Sequence, residues 1–255
     1  MTLRQTTFAS LLFTFLLMKP FIQAQSVEEF STLVDHQIDN LQISKAKETI
    51  DQALRNHPKS FDVLWRASRV YLLAGDAATK EAQEGIYSKA LEFANEAIQS
   101  NPNLSIGYIR RAAANGKIAL FKGVLDAADY VTSVKDDAQK AIELNNGGLQ
   151  WQATAHYILG RTHLKLTETP KVLRKPIGLD WGNLDEALGN LKKAIEFRPN
   201  FIMFHLEYGK ALIKKKNFAE AKSQLSLISR LSLLEVGDDE RKKEATELFD
   251  KIKGE

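Results

Sequence analysis

The segment Asn183–Asn200, NLDEALGNLKKAIEFRPN, constrains the fold of this chain more than any other stretch. Ala187, Leu191 and Ala194 follow one another at spacings of four and three, so a helix brings them to one face. Alanines on that face allow another helix to approach closely. Pro199 has no N–H to donate and clashes with the preceding turn, so it ends the helix. The segment therefore predicts the second helix of a helical hairpin.

The same frame recurs along the chain, and the recurrence is a stronger signal than any single copy. A tetratricopeptide hairpin has Gly and Tyr in its first helix and then Ala, Phe, Ala and Pro. Tyr208, Gly209 and Ala221 fit this pattern closely, and Asp238 can cap a final helix. The frame predicts an all-α fold, a right-handed solenoid of about five such hairpins with a C-terminal capping helix. We expect the hairpins at about 27–58, 61–102, 105–146, 153–199 and 202–233, and the capping helix at 238–253.

In a standard repeat, the glycine of the first helix and the alanine of the second helix are 12 residues apart, as Gly209 and Ala221 are. Three hairpins are longer than this. The second and third hairpins each carry about ten extra residues, which must lengthen the helices or form a loop. The fourth hairpin carries about 15 extra residues within 167–183, TETPKVLRKPIGLDWGN, and this segment is called the insert. Because it contains two prolines and two glycines, we expect it to be an exposed loop.

The first 24 residues have the layout of a secretory signal peptide. Arg4 supplies a positive start, Phe8–Met18 is an apolar run of eleven residues, and Ala24 ends a segment that resembles a cleavage site. The run is too short for a confident membrane span, which needs about 20 apolar residues. An uncleaved anchor and a mitochondrial presequence remain alternatives. We expect a periplasmic or secreted protein without a stable membrane anchor after cleavage, and without a lipid anchor because there is no cysteine.

Charge and motifs favour a non-catalytic protein. The formal net charge is +3, and removal of residues 1–24 leaves 33 basic against 32 acidic residues, which gives no electrostatic case for nucleic acid. No Gly-rich phosphate loop and no GxSxG motif occur. The histidines lack HxxxH or HExxH spacing, so a metal site is not expected, and His156 and His205 are better interpreted as core residues. We expect neither an enzyme nor a bound metal or cofactor.

The concave face of such a solenoid is lined by the first helix of each hairpin, at repeat positions 5 and 9. Three of the four pairs at these positions combine a large apolar residue with a cation four residues later. Such a groove could hold an extended peptide or an acidic ligand, with arginines binding the carboxylate and aromatic residues supplying apolar contact. Alternatively, these residues pack against the over-length segments or the first repeat, and the arginines pair with Asp or Glu. The four pairs are Trp65 with Arg69, Ile109 with Ala113, Tyr157 with Arg161, and Leu206 with Lys210.

The insert is basic and carries one aromatic residue. Lys171, Arg174, Lys175 and Trp181 could dock on a partner or an acidic surface. The alternative is a solvated loop in which Trp181 folds back on the helical stack.

The order of the irregular hairpins resembles the regulator of microtubule dynamics family and its bacterial tetratricopeptide relatives. The resemblance covers Phe61–Glu255 and is most specific at Trp65-Arg66, at Leu159-Gly160-Arg161 and in the last two hairpins. The chain is also similar to the T-component of TRAP transporters, a periplasmic tetratricopeptide protein. Two features depart from the first family: the insert is shorter than in eukaryotic members, and a secretory peptide precedes the fold.

These observations predict a scaffold or adaptor of the cell envelope that binds a peptide, a protein or an acidic ligand in its concave groove. The family resemblance implies an alternative, a microtubule-associated regulator. The similarity to the T-component implies a third function, a subunit of a transporter-associated oligomer, for which a homo-oligomer would be expected.

Overall fold

The computed structural model of the chain describes residues 25–122 and 126–255, and every regular element in these two ranges is helical. The predicted signal peptide lies outside the described residues. The helices are α1 Val27–Asp39, α2 Ile43–Asn56, α3 Phe61–Asp76, α4 Lys80–Ser100, α5 Ser105–Ala119, α6 Ala128–Leu144, α7 Leu149–Leu166, α8 Lys171–Arg174, α9 Leu184–Phe197, α10 Ile202–Lys214, α11 Phe218–Ile228 and α12 Asp238–Lys251, with a 3-10 turn at Lys175–Ile177.

The helices pair in chain order into five antiparallel hairpins, which stack side by side. The pairs are α1 with α2, α3 with α4, α5 with α6, α7 with α9, and α10 with α11, and α12 packs on α10 and α11 at the end of the stack. The first helix of each hairpin also contacts the first helix of the next. The predicted all-α solenoid is therefore confirmed. None of the described helices combines the length and the apolar character that a membrane crossing requires.

Helix α9 shows how the repeat frame specifies the packing. The side-chain oxygen of Asn183 accepts hydrogen bonds from the N–H groups of Asp185 (2.8 Å) and Glu186 (3.2 Å), which caps the start of the helix. Leu191 is fully buried against α7. A Cβ atom on Gly160 of α7 would lie 2.8 Å from the Leu191 side chain and 3.0 Å from its backbone nitrogen. Only glycine allows α7 and α9 to approach this closely.

The extra residues of the second hairpin lengthen its helices. Helix α3 has 16 residues and α4 has 21, and only Ala77–Thr79 connect them. Tyr87 of α4 packs against Gly75 and donates a hydrogen bond to Asp76 (2.6 Å), so the extended part of the hairpin carries its own contacts.

The expectation that the insert is an exposed loop is wrong in part. It contains α8 and the 3-10 turn, and two of its side chains, Arg174 and Leu179, are buried. The Arg174 guanidinium donates to the carbonyl oxygens of Thr169 (3.0 Å), Leu179 (2.7 Å) and Gly182 (3.2 Å). These bonds fold the insert around a buried cation. Trp181 packs edge-on against His163 with ring centres 5.0 Å apart, so it does fold back on the stack.

Asp238 does not cap α12 as expected. It is the first residue of that helix, is buried, and accepts hydrogen bonds from the N–H groups of Leu234 and Glu235, both at 2.9 Å. Its carboxylate therefore shapes the segment before the helix, residues 229–237, which is called the linker. Helix α12 buries Ala245, and Ile252 behind it is buried as well, so the end of the solenoid is covered.

Candidate functional site

Helices α3, α5, α7 and α10, which are predicted to line the concave groove, lie next to one another. The apolar members of the predicted pairs are buried within this wall. Trp65 packs edge-on against Trp151 with ring centres 5.5 Å apart, and Tyr157 stacks on Phe204 at 4.9 Å. Leu206 is buried in the C-terminal core, and Ile109 is buried in a small cluster beneath α5. Their rings and methyl groups therefore support the groove from within.

Two of the polar members, Arg161 and Lys210, both lie beside Glu207, and these three residues together with Tyr157 are called the centre of the groove. The Arg161 Nε lies 3.9 Å from Glu207 Oε2, too far for a hydrogen bond, and both atoms are buried without a hydrogen-bond partner. Burial raises the pKa of the Tyr157 hydroxyl, which keeps it neutral. Lys210 is held by Glu207 (3.0 Å) and Glu244 (2.8 Å). The centre therefore contains one cation that is paired and one that is only loosely paired.

Arg69 lies one turn beyond Trp65, and its ion pair is weak. Its Nη1 is 3.8 Å from Asp35, whereas Arg66 donates two hydrogen bonds to the same carboxylate at 2.8 and 3.0 Å. Arg66 also covers the Trp65 ring at 4.1 Å. Asp35 is thus mainly the partner of Arg66, and Arg69 keeps much of its charge uncompensated.

The sequence did not identify Arg110, which is the most unusual charged residue of the groove. It is 7% exposed, its guanidinium lies 4.8 Å above the Trp151 ring, and its buried Nε has no hydrogen-bond partner. No carboxylate of the described chain lies within 4.0 Å of it. Burial first, and then the charge of Arg69, lower the pKa of Arg110 to about 9. The only sequence signal was its place beside Ile109, one residue away from a predicted groove position.

Arg198, at the end of α9, is a third arginine that lacks a close carboxylate partner. Its guanidinium lies 3.7 Å above the Phe201 ring and makes no ion pair within the described chain. Burial lowers the pKa of Arg198, and the charge of Arg69 lowers it further. The charge of Arg69 thus acts on both Arg110 and Arg198, and the three residues together are called the arginine cluster.

The linker contributes a carboxylate, Glu235, on which the charges of Arg69 and Arg198 act. Burial raises the pKa of Glu235, and the charges of Arg241, Arg69 and Arg198 oppose that shift. No cation is within 4.0 Å of it in the part of the chain that the structure describes. Val236 and Gly237 line one side of a cleft of about 560 Å³, whose other side is formed by the ends of α3 and α5 and the start of α4.

His156 and His205 lie in the core, as predicted. His156 shares a hydrogen bond with the side-chain oxygen of Asn190 (2.8 Å), and His205 bonds to Gln224 and to the carbonyl oxygen of Pro199, both at 2.7 Å. Within residues 25–122 and 126–255, no group of three or more histidine or carboxylate side chains is arranged to hold a metal ion.

Comparisons with solved structures support the fold. A thermophilic TPR protein of Thermus thermophilus superimposes with a TM-score of 0.64 at 15% identity, over 87% of this chain and 99% of that one. PilF of Pseudomonas aeruginosa superimposes with a TM-score of 0.54 at 13% identity, over 89% of this chain and 88% of that one. No curated protein matches the chain in sequence. A family model described as regulator of microtubule dynamics protein 1-3 matches residues 30–253.

Proposed function

The chain belongs to the regulator of microtubule dynamics protein 1-3 family, and from that premise we propose that it is a non-enzymatic scaffold whose concave groove binds an acidic segment of a partner protein. The family match confirms the resemblance identified in the sequence. The fold supports the proposal because a solenoid presents an extended concave surface suited to binding.

Arg161 is the observation that carries the proposal. Its side chain is 36% exposed, and its guanidinium makes no hydrogen bond within the described residues. The Tyr157 hydroxyl one turn away is also without such a bond. A guanidinium offers a planar fork of donors that matches a carboxylate, and unfilled donors in a partly dry groove gain more from that match than donors already paired.

The other predicted cations divide into two kinds. Lys210 is neutralised by Glu207 and Glu244, so we assign it the role of positioning Glu207. Arg69 shares Asp35 with Arg66 and keeps donors for a ligand. Binding of an acidic segment would therefore rest on Arg69 and Arg161, and the predicted contributions of Trp65, Tyr157 and Leu206 become largely structural.

The test is a binding titration by calorimetry with a library of capped heptapeptides that carry glutamate at the centre. We expect the double variant Arg69→Ala plus Arg161→Ala to bind at least tenfold more weakly than the unaltered chain, with an unchanged unfolding midpoint. The matched control is Arg55→Ala, because Arg55 is exposed on α2 and makes no ion pair within the described chain. Equal affinity of the double variant and the unaltered chain would contradict the proposal.

The layout of residues 1–24 supports a location in the periplasm or outside the cell. The intact mass of the chain recovered from fractions of its native host tests this part. A mass lacking Met1–Ala24 in the envelope or medium is the expected result. A full-length chain inside the cell would contradict it.

The family name favours a second candidate, a regulator of microtubule dynamics. Co-sedimentation with polymerised tubulin tests it directly. Saturable co-sedimentation, together with a chain that stays in the cytosol, would favour this candidate over the envelope scaffold. An exported chain that does not co-sediment would exclude it.

A further inference from the structure

The insert leaves two adjacent apolar side chains uncovered at residues 171–176, which are called the tip. Val172 is 75% exposed, the highest value among the large apolar side chains that the structure describes, and Leu173 beside it is 64% exposed. Single exposed apolar residues are common on protein surfaces and need no explanation. Two neighbours on the same short helix, α8, form a patch that the fold itself does not bury.

The exposure of this patch is built into the insert. Arg174, the next residue along α8, is buried and donates hydrogen bonds to the carbonyl oxygens of Thr169, Leu179 and Gly182. These bonds tie the tip to the segments on both sides of it. With Arg174 held inward, its neighbours on α8 are held where they are, exposed to solvent.

The charge at the tip is positive. Residues 169–179, TPKVLRKPIGL, contain three cations and no acid. Lys171 and Lys175 are exposed on either side of the apolar pair, and neither makes an ion pair within the described residues. The tip therefore presents two apolar side chains flanked by two free ammonium groups.

The acids of the insert and of the first turn of α9 lie outside the tip, and half of them are paired. Glu168 accepts a hydrogen bond from Lys165 (2.9 Å), and Asp185 accepts one from Lys215 (2.7 Å). The chain between the other two is attached to α7, because the Trp181 ring packs on His163 and the N–H of residue 183 donates to that histidine. The other two acids are Asp180, which is half-buried, and Glu186.

This composition suits a lipid surface better than a protein surface. Protein interfaces are enriched in aromatic residues and arginine and depleted in lysine. The tip exposes neither an aromatic ring nor a guanidinium, since Arg174 is buried. Lysine suits a lipid interface, because its aliphatic stem lies along apolar groups while its ammonium group stays among anionic headgroups.

We propose that the tip is a peripheral docking surface for an anionic phospholipid bilayer. Val172 and Leu173 enter the boundary between headgroups and acyl chains, and Lys171 and Lys175 contact the headgroup phosphates. Two apolar side chains and two lysines give weak, reversible and salt-sensitive attachment, in contrast to a membrane-spanning anchor. The surface is separate from the residues of the concave groove, so this proposal goes beyond the scaffold function and does not depend on it.

The first experiment places a fluorescent probe at the tip. Because the chain has no cysteine, Leu173→Cys accepts a single polarity-sensitive fluorophore. The matched control is Leu149→Cys, because Leu149 is 63% exposed and begins α7, whose 18 residues place it about 27 Å from the start of the insert. The labelled full-length chains are titrated with vesicles of phosphatidylcholine alone or mixed with phosphatidylglycerol.

The second experiment measures co-sedimentation with the same vesicles for Lys171→Gln plus Lys175→Gln. Its matched control is Lys45→Gln plus Lys59→Gln, which removes the same charge from exposed lysines of the first hairpin and its following turn. Every sample contains residues 1–24, so that segment contributes equally to each comparison.

We expect emission from the Leu173 probe to rise at least threefold with phosphatidylglycerol vesicles, and emission from the Leu149 probe to stay unchanged. Removal of the two tip lysines should weaken co-sedimentation at least fivefold relative to the control pair.

An unchanged Leu173 probe in the presence of phosphatidylglycerol vesicles would overturn the proposal, even if the chain co-sediments. An equal response to phosphatidylcholine alone would overturn the requirement for an anionic surface. A rise in emission that depends on chain concentration without vesicles would assign the tip to a contact between copies of the chain. The heptapeptide titration of the groove is independent of these results, so the two proposals fail separately.

Discussion

Two buried arginines, Arg110 in the groove and Arg174 in the insert, have nearly the same exposure, 7% and 6%, and opposite surroundings. Arg174 donates to three carbonyl oxygens, so its charge is the centre around which the insert folds. Arg110 has an aromatic ring beneath it and no acceptor. Burial alone therefore does not distinguish a cation that the fold supplies with acceptors from one that it leaves without them. The distinction comes from counting the acceptors that the fold supplies to each one.

The largest expected effect is the loss of the structural cation. Arg174→Met leaves the carbonyl oxygens of Thr169, Leu179 and Gly182 without their donor, and each buried unpaired acceptor costs about 1–3 kcal/mol. We expect the free energy of unfolding, measured in urea, to fall by about 3 kcal/mol. If Arg174→Met lowered the free energy of unfolding no more than Arg55→Met does, water would be replacing the guanidinium as a donor. Arg174 would then not differ from Arg110 in its structural role.

The next effect tests how closely the insert is packed around the same cation. A Cβ atom on Gly182 would lie 2.8 Å from Arg174 Nη1 and would also overlap the Leu166 side chain. We expect Gly182→Ala to lower the free energy of unfolding by about 1–3 kcal/mol. The control is Gly189→Ala on α9, where a Cβ atom meets nothing within 4 Å and should stabilise the helix by up to about 1 kcal/mol. Equal effects at the two glycines would show that the insert adjusts freely.

The third effect has the opposite sign. Arg110→Met removes a buried charge without a partner, and replacing such a charge by an apolar side chain is often neutral or stabilising by about 1 kcal/mol or more. We therefore expect the free energy of unfolding to rise by about 1 kcal/mol. A stability loss like that of Arg174→Met would mean that Arg110 has a structural role.

The smallest effect is a pH dependence at His163 of α7, which contacts the insert through Asn183. Burial lowers the pKa of His163, whose Nδ1 accepts a hydrogen bond from the Asn183 N–H (3.3 Å). A lowered pKa in the folded state means that the unfolded chain binds the proton more readily. Neutral His163 therefore contributes fully to the stability of the folded chain above the unfolded pKa of about 6.5. This contribution is lost as the pH falls through the folded pKa.

The measurement is the midpoint of thermal unfolding between pH 7 and 5. We expect His163→Gln, which retains an acceptor but does not titrate in this range, to show a shallower fall than the unaltered chain. The arginine cluster keeps its charge throughout, so Arg110→Met should leave the slope unchanged. If the unfolding midpoints of His163→Gln and of the unaltered chain fell equally steeply with pH, His163 would not be the source of the pH dependence.

The repeat frame predicted the stack because its spacing is a local property. Ala187, Leu191 and Pro199 define a helix, its buried face and its end without reference to distant residues, and Gly160 indicates where the partner helix approaches. The insert was predicted less well. Its prolines and glycines correctly indicate breaks, but Arg174 finds acceptors in backbone groups five and eight residues away, and a residue count does not show how that chain bends back.

The groove was predicted in outline and not in detail. Repeat positions 5 and 9 place Trp65 and Leu206 on the correct helices, but contacts between adjacent first helices bury both side chains. Arg110 was missed because the regular frame assigns the groove position to Ile109, the residue before it. Glu235 was missed because the return of the linker toward α3 and α5 depends on the curvature of the whole stack.

The three tryptophans of the chain are divided between the two regions that hold the contrasting arginines. Trp65 and Trp151 form the floor beneath Arg110, and Trp181 lies in the insert against His163. Each region therefore contains its own intrinsic fluorophore. In a Trp181→Phe background, emission would report only on the groove, and a ligand that enters the arginine cluster would change it directly. In the reverse background, with Trp65 and Trp151 replaced, emission would follow the loosening of the insert alone.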